Sequence, residues 1–310
     1  MLNVLDITAP LFTLILLGYL AVKSGLLPDS LLGGIARFVL YFCVPGVILS
    51  NFLREQAQPV LLPEFLKIYA IAGVATLALG YLVGLLLLRG TTAASSIYAL
   101  GGAIPNSMFV GFPVLMQVMP DIAVQVLVMC VLVENALIMP IALLLADISA
   151  AKATSLPKRI YQIAKRIAVN PMLIAVAVGL TLSSFDIYAP SFVQISLDML
   201  AKAAAPAALV FIGGSLVGNS IRGDIGPVLS TSTIKLVAMP LLVMLTLYLS
   251  APIPDNLATA LILVSASPML SIYAILASGY GVGKTAASIL VVTTAASFFT
   301  LNAFLAHLLE

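Results

Sequence analysis

The sequence contains no tryptophan, one histidine and two cysteines, and only 8% of its 310 residues are charged. Each scarcity removes a class of protein. The single histidine, His307, stands in the last turn of the chain, so a serine–histidine couple deep in the chain has no base. Cys43 and Cys130 both fall within apolar runs, which leaves neither a disulfide framework nor a thiol–imidazole cluster for zinc. No aspartate pair suits magnesium and diphosphate chemistry. These gaps argue against an enzyme and against any resident cofactor. No hydrophilic stretch is long enough for a soluble domain. The N-terminus has neither a basic region nor a convincing cleavage site around its first apolar run, so that run is expected to be a retained span.

What the chain has is apolar surface. It is 62% hydrophobic with a mean hydropathy of +1.19, far beyond what a folded soluble domain can hide behind a charged exterior. A polytopic, all-α membrane protein is the reading. Runs of about 20 apolar residues, the length that crosses a bilayer, fall roughly at 4–22, 33–53, 65–88, 95–118, 122–146, 169–184, 192–218, 226–250, 257–279 and 285–308. The sixth is short, and Asp186 marks its early end.

Basic residues set the expected orientation. Lys23, Arg89, Lys152, Lys158, Arg159, Lys165, Arg166, Arg222 and Lys284 follow odd-numbered spans, whereas the alternate loops hold Arg54, with Lys67 just inside span three. Under the positive-inside rule both termini lie outside the cytoplasm of an inner (plasma) membrane. The segment at 148–168 is then a cytoplasmic linker between a first five-helix unit, 1–147, and a second, 169–310. The halves look related. Pro10, Gly18 and Pro45 answer to Pro171, Gly179 and Pro206 at an offset of 161, and Pro105 answers to Pro268 at 163. Five spans is an odd number, so the second copy is inverted, a pattern found in transporters; the blander account is prolines scattered as kinks.

Spans four and nine are interrupted. The first reads Gly101-Gly102-Ala103-Ile104-Pro105-Asn106-Ser107, followed by Gly111-Phe112-Pro113; the second reads Val264-Ser265-Ala266-Ser267-Pro268-Met269-Leu270-Ser271. Proline removes a donor and clashes with the carbonyl four residues back, so Gly101 and Val264 are expected to carry loosened carbonyls. Hydrocarbon does not tolerate such groups unless they line a protein-enclosed or wet site. The half-helices after the prolines would present the N–H groups of Asn106, Ser107 and Met108 against those of Met269, Leu270 and Ser271. Two positive dipole ends would then converge on an anion. Pro105, Asn106, Ser107, Met108, Ser267, Pro268, Met269 and Ser271 are the candidate substrate-binding residues, with the Asn106 amide and the serine hydroxyls as donors. The plainer alternative is that Asn106 and the serines only cap broken helices.

Other intramembrane polar groups have two readings each. Glu134, beside Asn135 in span five, is either a functional carboxylate or a neutral acid bonded within the bundle. Glu134, Asn135, Gly101 and Val264 are the candidates for a coupling ion, with proton, sodium or no coupling left open. Lys235 in span eight either pairs with Glu134 or snorkels to the interface, the latter being the simpler account. Arg37 reads as a snorkelling anchor, and Asp198 with Lys202, four apart, as a same-face pair.

The segment Pro105-Asn106-Ser107-Met108-Phe109-Val110-Gly111-Phe112-Pro113, with Asn170-Pro171, Gly213-Gly214-Ser215-Leu216 and Lys235…Pro240, resembles the auxin efflux carrier family. That family is a branch of the superfamily that includes bile acid/sodium symporters. The resemblance runs over essentially the whole chain. It implies ten helices in two inverted five-helix repeats, with broken helices four and nine crossing at the substrate. It also implies a scaffold of spans 1, 2, 6 and 7 that dimerises, a moving unit of spans 3–5 and 8–10, and contact between Asn106 and a substrate carboxylate. A threonine is common in the family where Ser107 stands. The chain lacks the long cytoplasmic loop of many plant members, and Ser267-Pro268-Met269 lacks the polar residue often found after that proline. Short members are mostly bacterial and several are associated with malonate or other small organic acids. The expectation is thus a secondary transporter of a small mono- or dicarboxylate working by an elevator mechanism. An exporter of an auxin-like aromatic carboxylate, a sodium-coupled symporter and, further off, a membrane sensor or channel are the alternatives.

Overall fold

The computed structural model describes residues 4–54, 61–149, 156–218 and 224–309. Lys152 and Arg222 lie outside the described residues, as do the side chains of Arg159 and Arg166. The described chain is helical throughout: α1 Val4–Lys23, α2 Asp29–Phe52, α3 Pro63–Leu86, α4 Thr92–Ala103, α5 Ser107–Val118, α6 Pro120–Ser149, α7 Leu156–Ala168, α8 Pro171–Ser184, α9 Ser191–Ser215, α10 Ile225–Leu249, α11 Asp255–Ser265, α12 Tyr273–Ser278 and α13 Gly283–Leu309. Six of these, α2, α3, α6, α9, α10 and α13, are long and apolar enough to cross a membrane, and shorter apolar helices lie in α1, α5, α8 and α11. The apolar runs at 95–118 and 257–279 are each divided into two helices. The segment at 148–168 contains the amphipathic helix α7, with Lys158, Tyr161 and Lys165 exposed.

Local chemistry fixes the helix ends. Asn170 caps α8 by accepting from the N–H groups of Met172 and Leu173 at 3.0 and 3.4 Å, with Pro171 in the first turn where its missing N–H costs nothing. Thr91 caps α4 through the Ala94 N–H at 3.2 Å. Four π-turns, Val39–Cys43, Ser107–Gly111, Glu134–Ile138 and Ile234–Ala238, interrupt the long helices. Each ends two residues before a proline: Pro45, Pro113, Pro140 or Pro240. The wider turn moves the carbonyl that the pyrrolidine ring would strike, so the helix continues past the proline. Three of these turns carry buried polar side chains, Ser107, Glu134 and Lys235.

The helices pack in two sets. In one, α1 lies along α9, and α2 packs on α8 and α9. Backbone approach there is close: a Cβ on Gly213 would stand 1.8 Å from the Ile15 carbonyl oxygen, and one on Gly18 would stand 2.1 Å from that of Val210. In the other, α3 packs on α4 and α10, α4 on the second half of α6, and α13 on α10 and α12. The sets meet where α5 touches α9 and α1, and where α13 touches α1. That second seam is marked by Phe12 edge-on to Phe298 at 4.8 Å and by a Thr8–Asn302 hydrogen bond of 2.9 Å.

Candidate functional site

The two broken segments meet. Helix α4 stops at Ala103, and Ile104, preceding a proline, is extended at φ −112°, ψ 112°. Asn106 then caps α5: its Oδ1 accepts the Phe109 N–H at 3.2 Å, and its carbonyl takes the N–H groups of Val110 and Gly111 at 3.0 and 2.9 Å. On the second side α11 ends at Ser265, and the chain turns through Ala266 and Ser267 to Pro268. Pro105 and Met269 face each other as an antiparallel pair. The Asn106 N–H donates to the Pro268 carbonyl at 2.7 Å, and the Leu270 N–H donates to the Ile104 carbonyl at 3.3 Å. In an antiparallel ladder the residues between such rungs do not bond to each other. Pro105, which has no N–H, therefore occupies the position where none is needed.

This pairing changes several expectations. The N–H groups of Asn106 and Leu270 satisfy each other's strand rather than facing an anion. The helix after the second break starts at Tyr273, beyond a turn closed by the Tyr273 N–H on the Leu270 carbonyl at 3.0 Å. Met269, Leu270 and Ser271 are thus not its first turn, and α12 is only six residues long. The Val264 carbonyl accepts the Ser267 N–H at 3.1 Å and is not loose. Gly101 is a packing position, because a Cβ there would stand 2.7 Å from the Tyr273 ring.

Asn106, Ser107, Ser267 and Ser271 are all buried beside the pairing, as are Pro105, Pro268 and Met269, while Met108 is half-buried. Asn106 Nδ2 donates to Ser271 Oγ at 2.6 Å, linking the two breaks through side chains. The Ser107 hydroxyl donates to Glu134 Oε1, which also accepts the Tyr69 hydroxyl at 2.7 Å. Ser267 makes only a long bond, 3.5 Å, to the Leu263 carbonyl. The ends of this cluster come from α3, α5 and α6, so Glu134 anchors the first break from behind.

Lys235 does not snorkel. It is fully buried, and its Nζ donates to the Ser265 carbonyl at 2.6 Å and lies 3.3 Å from Met239 Sδ. Lys235 lies in the π-turn Ile234–Ala238, and its side chain ends at the last residue of α11. No ion pair joins Glu134 and Lys235 among the described residues. Asn135 faces elsewhere, donating to the Val131 carbonyl at 3.0 Å and accepting from Asn170 Nδ2 at 3.1 Å. Asp198 pairs with Arg54 at 2.9 Å, not with Lys202. Sequence spacing missed Tyr69, for which no helical neighbour of Glu134 gave a signal, and it missed the role of Ser265.

A family model and a known protein bear on this geometry. A family model described as Membrane transport protein matches residues 4–305. A protein of Rhizobium meliloti (strain 1021) named "Putative malonate transporter" is 25% identical over 310 residues, covering 98% of this chain and 96% of its own length. Both names point to transport across a membrane and not to enzymatic chemistry. A bridged pair of helix breaks within a helical, apolar chain, matched over nearly its whole length, means that the chain belongs to the Membrane transport protein family, the auxin efflux carrier-like group.

Proposed function

We propose that the protein is a secondary carrier of a small organic anion, a mono- or dicarboxylate of the malonate type, held where its two broken segments meet. The observation that carries the reading is the Pro105–Met269 pairing, buried in apolar helices with Asn106, Ser107 and Ser271 around it. Anion donors are available there. The N–H groups of Ser107 and Met108 belong to the first turn of α5, behind which no helical carbonyl lies. One hydrogen of the Asn106 amide goes to Ser271, leaving the other for a carboxylate. The Ser271 hydroxyl accepts that bond and keeps its own proton to donate. Ser107 contributes its N–H, since its hydroxyl is given to Glu134. Pro105, Met108, Ser267, Pro268 and Met269 shape the walls. The relative's name supports a dicarboxylate over an aromatic acid.

The architecture proposed is ten spans in two inverted five-helix repeats, 1–147 and 169–310, with both termini outside the cytoplasm of the inner membrane. The scaffold is α1, α2, α8 and α9, which pairs two copies into a homodimer; α3–α6 and α10–α13 move as a unit and carry the site across. The separate packing of the two helix sets supports that division. The Lys235 ammonium on the Ser265 carbonyl puts a fixed cation where a coupling ion would stand. That favours a carrier without sodium coupling, whose anion leaves down the membrane potential at about 2.3 kcal/mol per charge per 100 mV. Uptake of labelled malonate into proteoliposomes under imposed pH, sodium and voltage gradients tests this. The expected result is saturable, voltage-dependent flux indifferent to sodium and lost in Asn106→Ala. Full transport by Asn106→Ala would overturn the site.

A further inference from the structure

A cavity of about 680 Å³ opens between α2 and α9 on one side and α5 and α6 on the other. Its charged lining consists of Arg54 just past the end of α2, Asp198 and Lys202 on α9, and Asp121 at the start of α6. The four do not cancel locally. Asp198 Oδ1 takes the Arg54 guanidinium at 2.9 Å, Gln194 Nε2 at 3.0 Å and the Ser50 hydroxyl. That carboxylate is spent, and Arg54 is held to it through one guanidinium nitrogen. Lys202, one helical turn further on, is exposed and makes no ion pair among the described residues. Asp121 is exposed on the opposite wall and likewise has no ion-pair partner there.

The cavity also leads somewhere. Phe112 and Met116 line it from α5, the helix whose first residue, Ser107, stands at the break. One turn nearer that break, Phe109 packs on Phe211 of α9 with ring centroids 5.3 Å apart and fills the seam between the two helices. The cavity therefore runs along α5 from the Arg54 end, and the aromatic pair stands between its last lining residue on that helix, Phe112, and the break.

We propose that this cavity is the anion's approach to the broken helices and that the Lys202 ammonium is the group that draws a small carboxylate into it. The proposal rests on the carrier reading above. A cation free of an ion-pair partner on a low-dielectric wall focuses its field into the cleft and raises the local concentration of an anion. Asp121, facing it, opposes that attraction, so the two side chains set the capture with opposite signs. Arg54, tied to Asp198, holds α2 to α9 and gives the wall its shape.

The test is uptake of labelled malonate, with labelled acetate beside it, into vesicles presenting the Arg54 face to the medium, at low and high salt. Lys202→Gln is expected to raise the half-saturating malonate concentration about tenfold at low salt and to remove most of its salt dependence. Lys202→Arg should keep both, and Asp121→Asn should lower the half-saturating concentration, more for divalent malonate than for acetate. Unaltered half-saturation and salt response in Lys202→Gln would overturn the proposal, as would a rise in Asp121→Asn. Asn106→Ala separates the two readings. If it is inactive while Lys202→Gln behaves like the unaltered protein, the approach is wrong and the site stands. If Asn106→Ala transports normally, the site is wrong. No uptake of either acid by the unaltered protein overturns both.

Discussion

The Lys235 ammonium donates to the Ser265 carbonyl at 2.6 Å, so a side chain of α10 completes the last turn of α11. Ser265 is the last residue of α11, and Met269, whose N–H would meet its carbonyl if the helix went on, lies instead in the bridged segment opposite Pro105. In lipid that carbonyl would stay unmet at a cost of several kcal/mol without a donor from elsewhere. Lys235 is buried for this reason and is structural before it is anything else.

Lys235→Met should consequently destabilise the protein even though it replaces a buried cation with an apolar side chain of similar length. A hydrogen bond from a charged donor contributes about 1.5–3 kcal/mol, and its removal leaves the buried Ser265 carbonyl without that donor. Thermal unfolding of the detergent-solubilised protein should shift down by several degrees, at roughly 2–4 °C per kcal/mol for a chain of this class. An unchanged or raised midpoint would mean that the Ser265 carbonyl finds another partner.

How much of this was legible beforehand differs between the two breaks. Pro105-Asn106 stated both halves of its message in sequence: a residue that stops α4 and a side chain that caps α5 directly after it. Pro268 stated only the stop. Where the next helix begins was decided by the Leu270 carbonyl closing a turn onto Tyr273, and by the bonding of residues 268–270 to 104–106. Those partners are more than 160 positions away, beyond any local pattern. Separations of 65 and 144 positions likewise hid Tyr69 from Glu134 and Arg54 from Asp198. Depth in a span can be read from hydropathy, but the face a polar residue presents depends on π-turns that no periodicity announces, as Lys235 shows.

The seam between α1 and α9 depends on the absence of side chains. A methyl group on Gly213 would lie 1.8 Å from the Ile15 carbonyl oxygen, a backbone atom that cannot rotate away. Gly213→Ala should force the helices apart and cost the protein about 1–3 kcal/mol or more, as overpacking does. Gly33, within α2, has nothing within 4 Å of an added methyl. Gly33→Ala should be neutral or stabilising by up to about 1 kcal/mol through helix propensity. Monodispersity and unfolding temperature of the two variants, compared side by side, check the contrast.

Tyr69 and Ser107 both donate to the same oxygen of Glu134, so their contributions should not add. Removing either hydroxyl leaves the buried oxygen one donor; removing both leaves it none. Tyr69→Phe and Ser107→Ala alone should each cost about 0.5–1.5 kcal/mol, with the pair departing from the sum by roughly 0.5–3 kcal/mol. A double-mutant cycle on unfolding midpoints measures that coupling. Strict additivity would show that the two hydroxyls do not share the carboxylate.

Asn106 caps a helix and joins the two breaks, and one substitution separates these duties from anion binding. Asp at this position keeps an oxygen to accept the Phe109 N–H, so the cap of α5 survives Asn106→Asp. It loses the amide that donates to Ser271 and sets a carboxylate where the substrate's carboxylate is proposed to lie. Asn106→Ala, by contrast, removes the cap and should lower stability by about 0.5–2 kcal/mol. The expected outcome is that Asn106→Asp folds with α5 still capped, at some cost for its buried carboxylate, yet fails to transport malonate, whereas Asn106→Ala loses cap and transport together. Should Asn106→Asp still carry the anion at an undiminished rate, the residue is a cap alone, and the carboxylate must be held by groups further along α5.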